Sequence, residues 1–167
     1  MPHAHPSGPQ SVRVVTVTIS DTRTEADDES GRVLREALTT AGHVVIRHAI
    51  IPDEPERVRA EIEHAVDVDH VDAIVTTGGT GISPRDQTYE AVHAMLEKTL
   101  DGFGEAFRRL SFDEIGPRAM LSRAVAGTFR GAMVFALPGS KNAVRLGATQ
   151  LVAPILGHAV AILRGKS

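Results

Sequence analysis

Hydrophobic positions along this chain alternate between short continuous runs and longer stretches with helical spacing. The continuous runs are rich in Val, Ile and Ala, a pattern typical of strands that are covered on both faces. These predicted strands lie at residues 12–19, 43–51, 71–75 and 132–137. Because strands and helices alternate through short links, we predict βαβ units and an α/β fold with a mostly parallel central sheet.

Apolar residues recur at helical spacing after each of the first three predicted strands. The first helix begins in the acidic segment 27–30 and ends before Gly42, a natural stop for a helix. The second helix begins in the turn 52–55. Thr88 is the predicted N-cap of the third helix, because Thr accepts hydrogen bonds from the first turn.

The last part of the chain is less regular. Residues 102–127 break into short pieces, among which we predict a helix at 118–126. A final helix over 142–163 is expected to break or kink at Pro154, since proline removes a helical hydrogen bond. No apolar run is expected to approach the length that spans a membrane.

Composition limits the function classes. The chain has 167 residues, 42% of them hydrophobic, so we predict one domain over 12–167 after a disordered tail over 1–11. A net charge of −3 without a basic block argues against a nucleic-acid partner. The absence of cysteine excludes disulfides and thiolate metal sites. The tail lacks the apolar core of a signal peptide, so we expect a cytoplasmic protein without a membrane partner.

A glycine-rich loop between the third strand and the third helix carries the strongest chemical signal. It is made by Thr76, Thr77, Gly78, Gly79, Thr80 and Gly81. Such strand-to-helix turns expose backbone N–H groups and hydroxyls, and the helix dipole favours negative charge there. The loop therefore indicates a site for a phosphate group, although an ordinary glycine-rich connection is the alternative.

Common phosphate loops fit this segment poorly. A Walker A loop needs a lysine where this chain has Ile82. A dinucleotide fingerprint needs a third glycine, but the segment continues into Pro84. Arg85 and Asp86 within the loop favour a site over a plain turn, which needs neither.

Three further turns are expected at the same edge of the sheet as the glycine loop. Ligands of open α/β sheets bind outside the carboxyl ends of the strands. The turns are Ser20-Asp21-Thr22, Pro52-Asp53-Glu54 and Pro138-Gly139-Ser140. We therefore predict that residues distant in sequence line one binding site.

Asp53 and Asp86 are the candidate metal ligands. Two carboxylates beside a phosphate-binding loop favour a divalent cation, because Mg²⁺ uses one or two carboxylates together with phosphate oxygens. Asp53 also suits a helix N-terminus without any chemistry, and Asp21 suits an Asx turn.

Other polar residues leave alternatives open. Arg123 fits either an anion contact or a surface ion pair, Ser122 is equally ambiguous, and Lys141 is better placed to meet a phosphate. The histidines lack metal-ligand spacing, and we interpret those of the folded part most simply as surface residues: His43, His48, His64 and His70.

Eight segments of this chain together resemble the MoaB/MogA family of molybdenum cofactor biosynthesis proteins, with more similarity to MoaB. The resemblance covers nearly the whole chain after the tail. The segments are Ser20-Asp21, Asp28-Glu29-Ser30-Gly31, Ile51-Pro52-Asp53-Glu54, Thr76-Thr77-Gly78-Gly79-Thr80-Gly81, Arg85-Asp86-Gln87-Thr88, Gly102-Phe103-Gly104-Glu105, Leu121-Ser122-Arg123-Ala124 and Leu137-Pro138-Gly139-Ser140. The chain departs from the family in Lys141-Asn142, where a proline is frequent.

The resemblance implies a three-layer α/β/α sandwich that assembles as a homotrimer or homohexamer. It implies molybdopterin as ligand and, in active members, adenylylation of molybdopterin with Mg-ATP and release of pyrophosphate. Other molybdenum cofactor biosynthesis proteins are possible partners. The alternative is a catalytically inactive protein that binds molybdopterin or assists assembly.

The resemblance also assigns roles to residues. Asp53 and Asp86 would be the catalytic, metal-associated aspartates. The residues expected to hold the pterin phosphate or the nucleotide are Ser20, Asp21, Thr76, Thr77, Gly78, Gly79, Thr80, Gly81, Ser122, Pro138, Gly139 and Ser140.

Overall fold

A six-stranded mixed sheet forms the centre of the protein. The computed structural model describes residues 11–166, so the tail predicted at 1–11 lies almost wholly outside the described residues. The strands are β1 (Arg13–Ile19), β2 (Val44–Ile51), β3 (Ala73–Thr77), β4 (Lys98–Thr99), β5 (Val125–Phe129) and β6 (Ala132–Leu137). Their order is β2-β1-β3-β6-β5-β4. The first four strands in this order are parallel, and β5 and β4 are antiparallel to their neighbours.

Helices cover both faces of the sheet. They are α1 (Glu29–Thr40), α2 (Pro55–Asp67), α3 (Thr88–Met95), α4 (Asp101–Ile115), α5 (Lys141–Gly147) and α6 (Ala153–Leu163). Side chains of α1, α4, α5 and α6 pack in one core cluster, and those of α2 and α3 pack in the other. Alternate strand residues enter opposite clusters, as Val14 and Val15 do. The predicted three-layer α/β/α sandwich with a mostly parallel sheet is therefore confirmed.

The expected boundaries of α1 are confirmed in detail. The side chain of Asp28 caps the helix by accepting from the N–H of Gly31 at 2.9 Å. Gly42 follows the last turn with a φ of +94°, a conformation that glycine adopts without steric cost. The expectation for α3 was wrong, because Gln87 is its N-cap and Thr88 is its first residue. The Thr88 hydroxyl instead donates to Asp53 at 3.2 Å.

The irregular pieces predicted at 102–127 are in fact a regular helix, a turn and a strand. Helix α4 has 15 residues and buries Phe107, and a 3-10 helix follows over Gly116–Leu121. The helix predicted at 118–126 is wrong, because residues 118–121 end the 3-10 helix, residues 122–124 have no regular structure and residues 125–126 begin β5. Strand β5 pairs with β6 through a tight hairpin. Its Ala and Val residues suit a fully buried strand as well as a helix, and periodicity does not separate the two in short runs.

The final helical stretch is continuous from Lys141 to Leu163. A π-helical segment, Ala148–Val152, joins α5 to α6 just before Pro154, where proline cannot supply the regular hydrogen bond. By length and composition alone, this 23-residue stretch, with a mean hydropathy of 1.7, could cross a membrane. The expectation that no run approaches that length was therefore wrong. Here Val144, Val152 and Leu156 are fully buried in the core against the sheet.

His43 is buried rather than at the surface, and its ring joins two distant segments. Its exposed fraction is 5%. Nδ1 accepts from the N–H of Val12 at 3.3 Å, and Nε2 lies 3.1 Å from the carbonyl of Ala153. Because Nδ1 accepts, the neutral ring must donate from Nε2. The histidine therefore satisfies one buried donor and one buried acceptor, which explains its position in an otherwise apolar region.

We expect His43→Ala to lower the free energy of unfolding by about 1–3 kcal/mol, because it leaves the buried N–H of Val12 unpaired and removes the hydrogen bond to the carbonyl of Ala153. Urea unfolding at pH 7 measures this change. His64→Ala is the matched control, since that side chain is about half exposed and should change stability by no more than about 0.5 kcal/mol. Equal losses in the two variants would contradict the bridging role.

Candidate functional site

Four turns meet at the carboxyl edge of the parallel strands. The N–H of Ser20 donates to the carbonyl of Ile51 at 2.9 Å, joining the ends of β1 and β2. The N–H of Gly78 donates to the carbonyl of Leu137 at 2.9 Å, and the Thr77 hydroxyl donates to that of Pro138 at 3.1 Å. The first contact joins the ends of β1 and β2, and the other two fix the glycine loop against the end of β6.

Three of these turns line an open cavity of about 510 Å³, and the turn Pro52-Asp53-Glu54 contributes no residue to its wall. This volume lies within the range of small-molecule sites. The predicted site residues on its wall are Ser20, Thr77, Gly78, Gly79, Thr80, Gly81, Asp86, Ser122, Pro138, Gly139 and Ser140. Their role as ligand contacts stays a prediction.

Three predicted site residues lie away from the cavity wall. Thr76 is fully buried, because strand alternation turns it to the face opposite Thr77. Asp53 lies behind Gly79, and Asp21 lies beside Asp53, whose N–H it accepts at 3.1 Å. Lys141, expected to meet a phosphate, is paired with Glu29 at 3.0 Å.

Glycines allow the loop to approach its neighbours closely. Gly78 and Gly79 have φ values of +104° and +74°, which favour glycine. A Cβ on Gly78 would clash with the backbone oxygen of Ile19. A Cβ on Gly79 would lie 2.6 Å from the Asp53 carboxylate, and one on Gly139 would lie 3.2 Å from Gly78 Cα. The shape of the cavity thus depends on these positions being glycines, which have no side chain.

Arg123 supports the loop from outside the cavity. Its guanidinium donates to the carbonyls of Gly81 at 2.6 Å and Asp86 at 3.2 Å. It also pairs with Glu90 and lies over the ring of Tyr89, 4.9 Å from the centroid. Arg123 thus forms the surface ion pair that the sequence allowed, with Glu90, and in addition holds the loop through its carbonyls. The contacts with the loop were not predicted, because the segment was expected to be a helix.

Asp53 is a buried carboxylate in an acidic neighbourhood. Its exposed fraction is 6%, and it accepts from the N–H of Gln87 at 3.3 Å and from the Thr88 hydroxyl. Burial, together with the nearby charges of Asp86 and Asp21, raises the pKa of Asp53 despite these hydrogen bonds. The ionised form is therefore destabilised, and a bound cation would relieve this.

Asp21 and Asp86 are each held by local contacts. Hydrogen bonds from Arg85, at 2.7 and 3.0 Å, and from the N–H of Asp53 keep the pKa of Asp21 below its ordinary value. Asp86 accepts from the N–H of Ser83 at 2.9 Å. Asp86 alone of the three lies on the cavity wall.

Within residues 11–166, no three acidic or histidine side chains are grouped closely enough to hold a metal ion by themselves. Two carboxylates are nevertheless sufficient protein ligands for Mg²⁺ when phosphate oxygens and water complete its shell. The residues therefore fit a cation that arrives with a nucleotide better than a permanent metal centre.

Part of the cavity floor was not predicted from the sequence. Thr18, Arg23, Ser30 and Leu121 also line it. Two threonines in the otherwise apolar strand β1 were the available signal for Thr18. Ser30 was assigned only to a helix start, but its hydroxyl also donates to the carbonyl of Gly139 at 2.7 Å.

Comparison with known proteins identifies the family. A family model described as a probable molybdopterin binding domain matches residues 15–158. The chain is 48% identical over 151 residues to molybdenum cofactor biosynthesis protein B of Bacillus cereus, covering 90% of this chain and 89% of the relative. The chain belongs to the MoaB/MogA family. The expected resemblance is therefore confirmed.

Two further relatives support this assignment. A crystal structure of a molybdenum cofactor biosynthesis protein B superposes with a TM-score of 0.90 at 47% identity, covering 94% of this chain and 98% of that one. A protein of Methanocaldococcus jannaschii named probable molybdopterin adenylyltransferase is 41% identical over 162 residues, covering 93% of this chain and 96% of the relative. This MoaB/MogA chain thus spans nearly the full length of its relatives.

Gly78→Ala should destabilise the protein by about 2–4 kcal/mol, because it adds a clash with Ile19 to the strain of a positive φ. Gly42→Ala is the matched control: its φ is also positive, but a Cβ there meets nothing within 4 Å, so only about 1–2 kcal/mol should be lost. Chemical denaturation of both variants gives the comparison. Equal losses would show that the close approach of the loop contributes no stability.

Proposed function

We propose that this protein binds molybdopterin in the cavity and adenylylates it with Mg-ATP, releasing pyrophosphate. The observation that supports this most directly is a glycine loop on the cavity wall with two carboxylates beside it, Asp86 on the wall and Asp53 behind Gly79. The name of the M. jannaschii relative agrees with this activity.

The cavity supplies mainly neutral donors, and Arg23 is the cationic side chain on its described wall. Its wall combines glycine backbone with the hydroxyls of Ser20, Thr80, Ser122 and Ser140. Backbone N–H groups of such loops bind phosphate oxygens. Helix α5 begins beside the wall with Ser140 as its N-cap. These donors suit the phosphate of molybdopterin or the phosphates of ATP.

In the proposed reaction, the terminal phosphate of molybdopterin attacks the α-phosphorus of ATP. The bond between the α-phosphorus and its bridging oxygen breaks, and pyrophosphate leaves. Catalysis of such a transfer depends mainly on positioning and on charge stabilisation. The glycine loop, held in place by Arg123, would orient the phosphates.

Asp53 and Asp86 would hold Mg²⁺ together with phosphate oxygens. The ion would neutralise charge on the nucleotide phosphates. Thr88 and Gln87 fix the Asp53 carboxylate through hydrogen bonds, and Ser83 fixes that of Asp86. Both carboxylates are thereby positioned by the protein before the nucleotide binds.

Pyrophosphate release from Mg-ATP in the presence of molybdopterin tests the proposal. We expect Asp86→Asn and Asp53→Asn each to lower turnover at least about 100-fold, with molybdopterin binding retained. Because the pKa of Asp53 is raised in the folded protein, its charge costs stability above that pKa, so Asp53→Asn should leave Tm at pH 7 unchanged or raise it.

Asp67→Asn is a matched control on the surface of α2 and should keep full turnover. Unchanged turnover in Asp86→Asn would overturn the metal role. Binding of molybdopterin without any pyrophosphate release in the wild-type protein would identify the alternative, a binding or assembly protein without catalysis.

We also propose a cytoplasmic homotrimer or homohexamer, with other cofactor biosynthesis proteins as possible partners and without nucleic acid or a membrane. Exposed apolar side chains at the end of α4 and in the following 3-10 helix support association: Phe112, Ile115, Met120 and Leu121. Phe107 of the same helix is instead buried within the chain's own core.

The double variant Phe112→Glu, Met120→Glu should shift the protein toward monomer, because it places charge in the proposed apolar interface. Sedimentation at micromolar concentration measures the change. Val68→Glu, at another exposed apolar position, should keep the wild-type mass. A wild-type protein that sediments only as monomer would contradict the proposal.

A further inference from the structure

A buried chain of hydrogen bonds lies behind the cavity floor. The Thr18 hydroxyl, on the floor, donates to the Asp28 carboxylate at 2.8 Å. His48 Nε2 lies 2.8 Å from the same carboxylate, and His48 Nδ1 lies 2.7 Å from the Thr16 hydroxyl. The His48 side chain is 8% exposed. The expectation of a surface histidine here was wrong.

The network accepts a proton without losing a hydrogen bond. In the neutral ring, Nε2 donates to Asp28 and Nδ1 accepts from the Thr16 hydroxyl. In the protonated ring, Nδ1 donates to the same hydroxyl, which serves equally as donor or acceptor. Histidine changes charge between about pH 5 and 8. Protonation of the ring therefore changes the charge of this buried pair by one unit while every hydrogen bond of the ring is kept.

Asp28 is the charged side chain that contacts His48. Strand β1 presents the uncharged Thr16 and Thr18. On α1, Arg35 donates to the carbonyl of Gly31, and Arg32 pairs with Glu36 at the surface. On β2 itself, the neighbouring Arg47 is bound on the opposite face of the sheet by Glu61 and Asp69.

Asp28 remains ionised in this setting. Burial alone would raise its pKa, but hydrogen bonds from His48, Gly31 and Thr18 hold the pKa of Asp28 below its ordinary value. With neutral His48, the pair carries a net negative charge next to the floor. With protonated His48, the pair is neutral overall.

We propose that His48 is a positioning residue whose imidazolium neutralises Asp28 and so strengthens the binding of a phosphate-bearing ligand in the cavity. The inference rests on the proposed function, since it requires an anionic ligand there. Two hydrogen bonds connect this charge to the cavity. Asp28 caps α1, and Ser30 in the first turn of α1 donates to the carbonyl of Gly139 on the cavity wall. A buried charge is weakly screened, so its effect reaches the ligand.

The test compares dissociation constants for molybdopterin in the wild-type protein and in His48→Gln between pH 6 and 8.5. Glutamine keeps a donor and an acceptor but carries no charge. The ligand phosphate itself titrates at about pH 6, which affects both proteins equally. The measured quantity is therefore the ratio of the two dissociation constants at each pH. We expect the wild-type protein to bind about tenfold more tightly at pH 6 and equally at pH 8.5.

His48→Lys carries a charge over the whole range and should keep the tight binding at pH 8.5. His64→Gln, an exposed histidine on α2, should follow the wild-type profile. Thermal unfolding of each variant monitors folding separately from binding.

A ratio that does not change with pH would overturn the inference and leave the proposed function intact, because it would show a purely structural histidine. Failure of the wild-type protein to bind molybdopterin at every pH would overturn the proposed function and the inference with it. Loss of binding in His48→Lys at pH 8.5, with Tm preserved, would also contradict the charge argument.

Discussion

The close approach of the glycine loop to the neighbouring strand ends is the constraint on which the site depends. Gly78 packs where any side chain would clash with Ile19, and Gly139 packs against Gly78. This contact brings the ends of β1, β3 and β6 together and forms the cavity between them. Once the loop is fixed, Asp86 lies on the wall and Asp53 directly behind it. The fold and the site are therefore two consequences of one packing arrangement.

The charged side chains around the cavity have different electrostatic roles. Arg123 binds the carbonyl oxygens of Gly81 and Asp86, and the backbone N–H groups of the loop are not its partners. Asp53 carries a destabilised charge, whereas Asp28 carries a charge that hydrogen bonds stabilise. One carboxylate is thus suited to meet a cation, and the other to hold a helix and a histidine. The two carboxylates are similarly buried, but their pKa values shift in opposite directions because their neighbours differ.

The sequence allowed the architecture and most of the cavity wall to be predicted, because period and topology determine both. Continuous apolar runs identified the strands, and parallel order placed their carboxyl ends at one edge. The errors arose where local patterns are ambiguous. The segment around β5 suits a helix or a buried strand, and its true state depends on pairing with β6. His43 and His48 look like surface residues until tertiary structure supplies their partners.

Hydrogen exchange of the backbone amides, with and without molybdopterin, tests whether the turns at the carboxyl edge form the ligand site. We expect slower exchange at Gly79, Thr80 and Gly81 and at the start of α5, and unchanged exchange in α6. Protection confined to other surfaces, with exchange in the glycine loop unaltered, would contradict it.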